Sequence, residues 1–535
     1  MKNLLRRIFS SKIVCFALLA IEFIVVVVAW AFIEFRFVDY AAGNKPIAER
    51  QQIDFIVTIV FYALRALLYF IDMIVFFKII NREENPEYKI PWLACMFILP
   101  VWTITFYLIF MRTKLRKKDR KIVEPTKQML AIRHEQHIAE NKKLISEIDH
   151  QYQGVFEYLH NVTKLDVSKN NRITYYKTGE EFFPEFVESL KLAEKFIFIE
   201  FFIIGNGKWW TAVLDVLKEK AKAGVDVRVV YDDIGSAGVV SNKLDLILQG
   251  YGIKCHKFHP VMPNLSNVVN NRDHRKIVVV DHKLAFTGGM NLADEYANDE
   301  LRFGYWKDTM VKVEGPGIAN FITTFLQDYD LATFSLTNYD EFVRGDYKEY
   351  KEPGYAFQFG DAPGPYQFFE QIGEQNYINL LNTATKRVDI STPYLICSYP
   401  LIRALTGAAK RGVEVNLIVP GVPDKKLVWN MGKSQFHIFL EAGVNLYLYT
   451  PGFNHEKQML VDDRLVFCGT INFDFRSLTH HFETGITMLD AACIPEMKKD
   501  FEEMIAVSEK VPQDFKLPFM KRIIPGILKM FRVLF

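Results

Sequence analysis

One pattern of residues occurs twice in this 535-residue chain and constrains its fold more than any other feature. Each copy reads His-x-Lys, four further residues and Asp, and its members are His274, Lys276 and Asp281 in the first copy and His455, Lys457 and Asp462 in the second. In both copies an asparagine follows the histidine by 17 residues, which adds Asn291 and Asn472. Two strings in register, 181 residues apart, predict two copies of one structural unit.

The residues around each copy predict the same order of secondary structure. The predicted elements are a strand, a helix and a strand, at 196–204, 209–223 and 225–231 in the first half and at 388–391, 400–411 and 413–419 in the second. Gly224 and Gly412 are expected to end the two helices. Strands that alternate with helices are typical of sheets covered by helices. The sequence therefore predicts an α/β fold with two similar sheet halves.

Each His-x-Lys string precedes a predicted strand, so its two side chains should leave the same face of an extended chain. A glycine-containing turn after the strand would bring the asparagine back beside them. Cleavage of an anionic phosphodiester requires cations, a nucleophile and an acid for the leaving oxygen. The candidate phosphate-binding residues are Lys276, Lys457, Asn291 and Asn472. One of the two histidines would attack phosphorus and the other would protonate the leaving alkoxide.

A nucleophilic imidazole needs a carboxylate at its other ring nitrogen, which fixes the tautomer. Asp281 and Asp462 belong to the candidate catalytic motifs, but each lies an odd seven residues after its histidine and should point away from it along a strand. Their expected role is structural. Asp308 and Glu483 are better candidates for orienting the histidines. No cofactor or metal is expected, because the cysteines are single and no cluster has zinc-ligand spacing.

Apolar runs at 13–35, 55–77 and 91–111 predict that residues 1–111 form a transmembrane segment of two or three helical spans. The middle run is the weakest, since it carries Arg65 and Asp72. A basic cluster follows the third run, and the positive-inside rule then predicts a multi-pass protein of the cell membrane with a cytoplasmic catalytic part. Basic residues also precede the first run, which conflicts with three true spans.

Three further segments have predicted roles outside the catalytic halves. Residues 112–155 are highly charged and predict a helical, surface-exposed linker. Residues 260–271 are a Pro- and Asn-rich insertion, which either covers the mouth of the site or forms a plain surface loop. Residues 514–535 interleave basic and apolar residues and predict an amphipathic tail that contacts the membrane, with packing on the domain as the alternative.

The paired motifs resemble the HKD motifs of the phospholipase D superfamily over roughly residues 166–515. Within that superfamily the chain is similar to the bacterial cardiolipin synthases. The resemblance is carried by YDDIGS at 231–236, GGMN at 288–291, NFDFRSLTHHFE at 472–483 and the apolar segment at 81–110. It implies two α/β halves, at 156–345 and 346–513, that are related by a pseudo-twofold axis with the active site in the seam.

The resemblance also implies a reaction. The phosphatidyl group of one phosphatidylglycerol would pass to the hydroxyl of another through a phosphohistidine, with release of glycerol. His274 would be the nucleophile, His455 would be general acid and then base, and carboxylates that follow the motifs would orient both histidines. The two halves differ where the family often places serine, since the first has Gly289 and the second Thr470.

Several alternatives stay open at this stage. A hydrolytic phospholipase D would give phosphatidic acid, and another phosphatidyltransferase would use a second lipid as donor. A nuclease-type phosphodiesterase is disfavoured, because net charge is only +2 and the basic residues flank apolar runs. A scaffold with inactive motifs is disfavoured because both motifs are complete. The expected partners are phosphatidylglycerol and the lipid bilayer but no nucleic acid, and homo-oligomerisation is an open alternative.

Overall fold

The computed structural model describes residues 46–82, 86–98, 115–260, 270–367 and 370–518, together with 526 and 528. The chain divides into two units, and the described part of the first lies before residue 113. This unit contains helices α1 Ile47–Ile80 and α2 Pro86–Ile98. The two helices share a small apolar cluster around Val75, Ile79 and Met96.

Helix α1 contains the middle apolar run, whereas the first run and most of the third lie outside the described residues. Among the helices that the structure describes, none combines the length and the apolar character needed to cross a bilayer. The predicted number of spans is therefore not supported by the described residues and stays a prediction.

The second unit opens with helices α3 Lys117–Ser146 and α4 His150–Thr163. These helices correspond to the predicted linker, which is helical but is not simply exposed. Ile122 and Val123 are buried in one apolar core and Ile145 in another, because apolar residues recur on one side of α3. The linker is therefore helical as predicted, and one side of it packs into the cores while the rest is exposed or half-buried.

A short strand β1 Ser168–Lys169 comes first, and the other elements of the first half follow it in chain order. They are β2 Arg172–Tyr176, α5 Gly179–Leu190, β3 Phe196–Phe201, α6 Lys208–Lys222, β4 Asp226–Asp232, α7 Leu244–Gln249, β5 Lys254–Phe258, β6 Lys276–Val280, β7 Leu284–Gly288, β8 Tyr305–Lys307, β9 Met310–Glu314, α8 Ile318–Thr333 and α9 Asp340–Val343. Single 3-10 turns lie at Asp294–Ala297 and, after the half ends, at Gly364–Tyr366.

The second half repeats most of this series. Its elements are β10 Tyr355–Asp361, α10 Ile372–Thr383, β11 Arg387–Ser391, α11 Tyr399–Lys410, β12 Glu414–Pro420, α12 Lys426–Lys433, α13 Phe436–Glu441, β13 Asn445–Tyr449, β14 Gly452–Asn454, β15 Gln458–Val461, β16 Leu465–Gly469, α14 Phe475–Thr479, β17 Glu483–Leu489, α15 Ile494–Ala506 and β18 Ser508–Lys510.

The two large sheets have the same strand order. The first runs β2-β9-β7-β6-β3-β4-β5, and the second runs β10-β17-β16-β15-β11-β12-β13 with β1 and β18 added at its edges. Equivalent pairs also have equivalent direction, since β3 is parallel to β4 and antiparallel to β6, as β11 is to β12 and β15. The predicted α/β repeat is confirmed, and one edge strand of the second sheet, β1, comes from the start of the first half.

The sheets bury both of their faces, which explains why the central strands are apolar throughout. All residues of β3 and β6 are buried. One side of each sheet packs against its own helices, and the other contributes to a shared core that includes Ile277 of the first half and Leu460 of the second. Gly224 and Gly412, at φ of 91° and 92°, end α6 and α11 as predicted.

Candidate active site

In each sheet, the motif strand begins at the end of the sheet where the parallel strands finish. Lys276 pairs with Phe201, the last residue of β3, and Gln458 pairs with Ser391, the last residue of β11. Loops from several strands therefore gather around each histidine, which is the usual place for a site in an open α/β sheet.

His274 is held by a carboxylate of the other half. Its Nδ1 lies 2.9 Å from Oε2 of Glu483, and its backbone N–H donates to the carbonyl of Phe482 at 2.8 Å. Burial raises the pKa of Glu483 well above its usual value, whereas the charge of Lys276 favours its ionised form. An ionised Glu483 only accepts, so it would hold the proton on Nδ1 and leave Nε2 with its lone pair. The ring of Phe202 contacts the imidazole at 5.1 Å between centroids.

His455 has the reciprocal arrangement. Its Nδ1 lies 2.6 Å from Oδ2 of Asp308, and its backbone N–H donates to the carbonyl of Lys307 at 2.7 Å. The ring is enclosed by Tyr296, Trp306 and Phe453, at centroid distances of 5.7, 5.5 and 5.4 Å. Each carboxylate thus follows one motif in sequence and contacts the histidine of the other motif, as a pseudo-twofold relation between the halves requires.

The lysines lie beside their own histidines and are fully buried. Nζ of Lys276 donates to the carbonyl of His274 at 2.7 Å. Nζ of Lys457 donates to the carbonyl of His455 and lies 2.7 Å from its Nδ1. Burial lowers the pKa of Lys276 to about 7 and that of Lys457 to about 8, although nearby carboxylates oppose the shift. Two ammonium groups held in a buried site would attract an anion.

Charged groups of each motif shift the pKa of the histidine in the other motif. Burial lowers the pKa of His274 well below its usual value, and the charges of Lys276, Lys457 and His455 add to that effect. Burial, the charge of Lys457 and then that of Lys276 lower the pKa of His455 to about 4. Groups from both halves therefore act on each other, and burial favours the neutral form of both imidazoles.

The motif asparagines contact neighbouring polar groups. Asn291 accepts from the backbone N–H of Ile203 at 3.1 Å and donates to the hydroxyl of Tyr296 at 2.6 Å. Asn472 donates to the hydroxyl of Ser477 at 3.0 Å. An amide nitrogen carries two hydrogens, so a donor could still reach a phosphate from either side chain. Their phosphate-binding role stays a prediction.

The motif aspartates bind backbone at the far ends of the motif strands. Asp281 accepts from the backbone N–H groups of residues 194, 195 and 196 at 2.7–2.8 Å. Asp462 accepts from those of residues 385, 386 and 387 at 2.7–2.9 Å. Both have φ near +50°, which an Asp tolerates better than most residues. We therefore remove Asp281 and Asp462 from the candidate catalytic set and assign them the structural role that strand parity predicted.

The two carboxylates have different supports. Thr470 donates its hydroxyl to Glu483, the carboxylate at His274. The equivalent position beside Asp308 is Gly289, where an added Cβ would lie only 2.0 Å from Oδ1 of Asp308. The Gly/Thr difference noted in the sequence thus falls on the groups that hold the two histidines.

A third histidine lies beside Glu483. The ring of His481 is 5.4 Å from that of His274, and its Nδ1 is 3.4 Å from Oε1 of Glu483. Nε of Arg476 donates to its Nε2 at 3.3 Å. The motif analysis missed His481, although its position two residues before Glu483 could have suggested the same face of an extended chain. Phe202 was also missed, because it lies within the apolar run 196–204, which is typical of core.

Two groups of described residues have side chains of types that bind metals, within 4.8 Å of one another. One is His274, His481 and Glu483, where the hydrogen bond from His274 to Glu483 and the donation from Arg476 to His481 already use ligand atoms. The other is Glu200, Asp273 and Asp328, which are buried beside the guanidinium of Arg275. Burial raises the pKa of Asp273 to about 8, so protons shared among these carboxyls account for their proximity.

Comparisons with known proteins agree with this geometry. Residues 186–324 and 377–505 match the family described as cardiolipin synthase, PLD-like domain. A cardiolipin synthase of Alkalihalophilus pseudofirmus is 30% identical, covering 85% of this chain and 90% of that protein. One from a Geobacillus species is 32% identical, covering 83% and 88%. An uncharacterized protein of Streptococcus mutans is 39% identical, covering 81% and 93%.

A solved structure supports the fold. The phosphatidylserine synthase of Haemophilus influenzae superposes with a TM-score of 0.53 at 16% identity, covering 71% of this chain and 97% of that one. At this identity the likeness bears on the fold alone. It agrees with the two sheet halves. The family match and the relatives at 30% identity or more show that the chain belongs to the cardiolipin synthase family of phospholipase D-like phosphatidyltransferases.

Proposed function

We propose that this phosphatidyltransferase is a membrane-bound cardiolipin synthase that transfers a phosphatidyl group from one phosphatidylglycerol to another. The observation that carries the proposal is the crossed pair of histidines. Each imidazole is fixed through Nδ1 by a buried carboxylate of the opposite half, and each lies beside a buried lysine. This arrangement suits a phosphodiester, because it offers two oriented imidazoles and two cations.

In the first step, Nε2 of His274 would attack phosphorus while the bond from phosphorus to the terminal glycerol oxygen breaks. His455 would donate a proton to that oxygen, and glycerol would leave. The low pKa of His455, at about 4, describes the site without an anion. A bound phosphodiester would offset the charges of Lys276 and Lys457 and so favour the protonated imidazole.

In the second step, His455 would be neutral and would act as a base. It would take the proton from a hydroxyl of a second phosphatidylglycerol, and that oxygen would attack phosphorus while the bond to Nε2 of His274 breaks. The products of both steps are one cardiolipin and one glycerol, and the enzyme returns to its starting state. The same His455 then serves as acid and base, as reversal through one phosphorus centre requires.

We place the enzyme at the cell membrane, with residues 1–111 as its anchor and the catalytic unit towards the cytoplasm. The support is the apolar composition of that segment, the basic cluster that follows it and the amphiphilic substrate. The two catalytic halves would comprise residues 156–345 and 346–513. The predicted contact of residues 514–535 with the membrane and the predicted loop at 260–271 lie largely outside the described residues.

The test is product analysis with phosphatidylglycerol as the only lipid. Purified full-length protein should convert it to cardiolipin and glycerol in equal amounts, measured by mass spectrometry. Phosphatidic acid as the sole product would instead identify a hydrolytic phospholipase D. Product that forms only after phosphatidylethanolamine is added would show a different donor pair. The His274→Ala variant, which lacks the proposed nucleophile, is the matched control for contaminating activity.

A further inference from the structure

Exposed apolar side chains occur at corresponding places in the two halves. In the first half, Val239, Leu246 and Ile247 lie on the loop and short helix that follow β4. In the second half, Val422 and Leu427 follow β12, and Tyr399 begins the helix after β11. Since β4 and β12 occupy the same place in their sheets, the two rim patches lie largely on corresponding connections of the repeat, although Leu246 is on the helix directly before β5 and Leu427 is on the helix directly after β12. Leu246 and Tyr399 are each 60% exposed.

The first-half rim patch is tied directly to the active site. The loop before it packs against Phe202, because Ser236 donates to the carbonyl of Phe202 at 3.2 Å and a Cβ at Gly235 would lie 2.3 Å from that oxygen. Phe202 in turn contacts the ring of His274. The exposed side chains of this half therefore border the mouth of the site.

The second-half rim patch has a similar connection. Tyr394 donates to Asp424 at 2.7 Å and accepts from Lys425 at 2.7 Å, which fixes the loop that carries Val422 and Leu427. Leu395, the residue after Tyr394, pairs with Phe473, which directly follows the motif asparagine Asn472. Both histidines thus have an apolar rim patch of their own half on the same side as the strand ends that form the site.

Charge accompanies the apolar side chains in both patches. Lys243 is exposed beside Leu246 in the first half, and Lys425 and Lys426 are exposed next to Leu427 in the second. Apolar side chains that alternate with lysines are the composition of surfaces that bind anionic lipid headgroups and insert slightly below them. Single exposed leucines are common, but here the connections after both β4 and β12 carry several exposed apolar side chains together with lysines next to the site.

We propose that the two rim patches form one docking surface that places the mouth of the active site on an anionic lipid bilayer. The inference rests on the proposed function, since it concerns how a lipid phosphodiester reaches the buried histidines. The apolar side chains would enter the interface, and the lysines would contact lipid phosphates. A substrate could then slide its headgroup into the site while its acyl chains stay in the bilayer.

The first experiment locates the surface without reference to activity. An environment-sensitive fluorophore is attached at Leu246→Cys or Leu427→Cys in full-length protein whose Cys15 and Cys95 are changed to serine, since Cys255, Cys397, Cys468 and Cys493 are buried. Leu192→Cys is the matched control, because Leu192 is 54% exposed and lies before β3, at the opposite edge of the sheet. The protein is reconstituted in bilayer discs that contain a lipid-borne quencher.

The probes at 246 and 427 should be quenched in discs of phosphatidylglycerol, less in discs of phosphatidylcholine, and the probe at 192 in neither. Quenching at 246 and 427 no stronger than at 192 would overturn the docking surface. Energy transfer between probes on two copies, without quenching by lipid, would assign the patches to self-association and would also overturn it. Neither result depends on which products the enzyme forms, so failure of the proposed function is recognised separately.

A second experiment measures the consequence for catalysis. The Leu246→Ser/Leu427→Ser variant should turn over long-chain phosphatidylglycerol in discs about tenfold more slowly than wild type, because apolar insertion is lost. Its rate on a short-chain phosphatidylglycerol dissolved as monomers should change by less than about twofold, which also shows that the variant folds. Leu192→Ser should change neither rate. Equal losses on the two substrates would contradict a docking role.

Discussion

The two motif histidines are related by the repeat, yet their surroundings differ. Glu483, which contacts His274, also accepts from the hydroxyl of Thr470 and lies beside His481. Asp308, which contacts His455, has the shorter side chain and faces Gly289, where no hydroxyl is available. The carboxylate at the proposed nucleophile therefore accepts from a side-chain hydroxyl, whereas the carboxylate at the proposed acid accepts from the backbone N–H of Thr309 at 2.8 Å.

The middle residue of each motif also differs in charge. Arg275 donates to the carbonyl of Glu483 at 2.9 Å and pairs with Asp328 at 3.1 Å. At the same place in the second motif, Glu456 pairs with Lys307 at 2.7 Å. Lys307 precedes Asp308 in the chain, so each middle residue anchors the segment that carries the carboxylate of the opposite half. The repeat therefore preserves the geometry of the histidine–carboxylate pairs, whereas the supporting ion pairs have opposite polarity in the two halves.

The largest expected effect separates the two histidines. His274→Ala should abolish the covalent phosphatidyl-enzyme and lower the rate by at least about 10³-fold, because the nucleophile is lost. His455→Ala should slow formation or turnover of that adduct without preventing it. The measurement is trapping of labelled phosphatidylglycerol on protein denatured by detergent at neutral pH, where a phosphohistidine bond survives. Label retained by the His274→Ala protein would contradict the assignment and exchange the two roles.

The crossed carboxylates give the next effect. Glu483→Gln and Asp308→Asn should each lower the rate about a hundredfold, since each leaves one imidazole without its partner. A phosphatidyl donor with nitrophenol as leaving group needs no acid, so it should restore adduct formation in Asp308→Asn but not in Glu483→Gln. Stopped-flow release of nitrophenolate measures this. Rescue of Glu483→Gln alone would show that Glu483 supports the acid and Asp308 supports the nucleophile.

A smaller effect is expected at the position where the halves differ. Thr470→Ala should lower the rate about tenfold, because a hydroxyl hydrogen bond to the buried Glu483 is lost. Thr470→Ser keeps the hydroxyl and should retain most of the activity, which makes it the matched control. Steady-state rates with a folding check by circular dichroism suffice. Equal loss in both variants would assign the effect to packing of the threonine methyl group.

The smallest effect concerns pH and the lysines. The pKa of Lys276 is about 7 and that of Lys457 about 8, below their usual 10.5, and a bound anion favours the protonated form. Affinity for sulfate, whose charge is constant here, should therefore fall severalfold as pH rises through 7 to 8 and beyond. Lys276→Arg should flatten the first part of that decline, because a guanidinium keeps its charge. Calorimetric titration of wild type at the same pH values provides the comparison, and a flat wild-type profile would contradict the assignment.

The same lysines have a consequence for stability, with the sign fixed by their lowered pKa. Between about pH 8 and 10.5 the unfolded chain holds protons that the folded site has released. The free energy of unfolding should therefore increase as pH rises through that window. It should decrease as pH falls, because the folded site then has to hold buried charged lysines. Because burial disfavours the two ammonium groups, a bound anion should stabilise the folded protein.

Much of the fold follows from the local pattern of residues. The apolar runs at 196–204 and 413–419 predicted strands that the structure places at Phe196–Phe201 and Glu414–Pro420. Alternation of short strands and helices is a local property, set by hydrophobic period and by glycines at helix ends. The linker was less predictable, because high charge on α3 hides the few apolar residues that pack into the cores.

The repeated motif was enough to predict two similar α/β units that each contain a histidine and a lysine. The odd spacing along a strand was enough to predict that Asp281 and Asp462 point away from the histidines. Only the tertiary structure decided which carboxylate serves which imidazole. Glu483 lies 209 residues from His274 and Asp308 lies 147 residues from His455, so neither pair can be read from local spacing. The choice depends on how two sheets pack across a shared core, where reciprocal contacts form between halves and not within them.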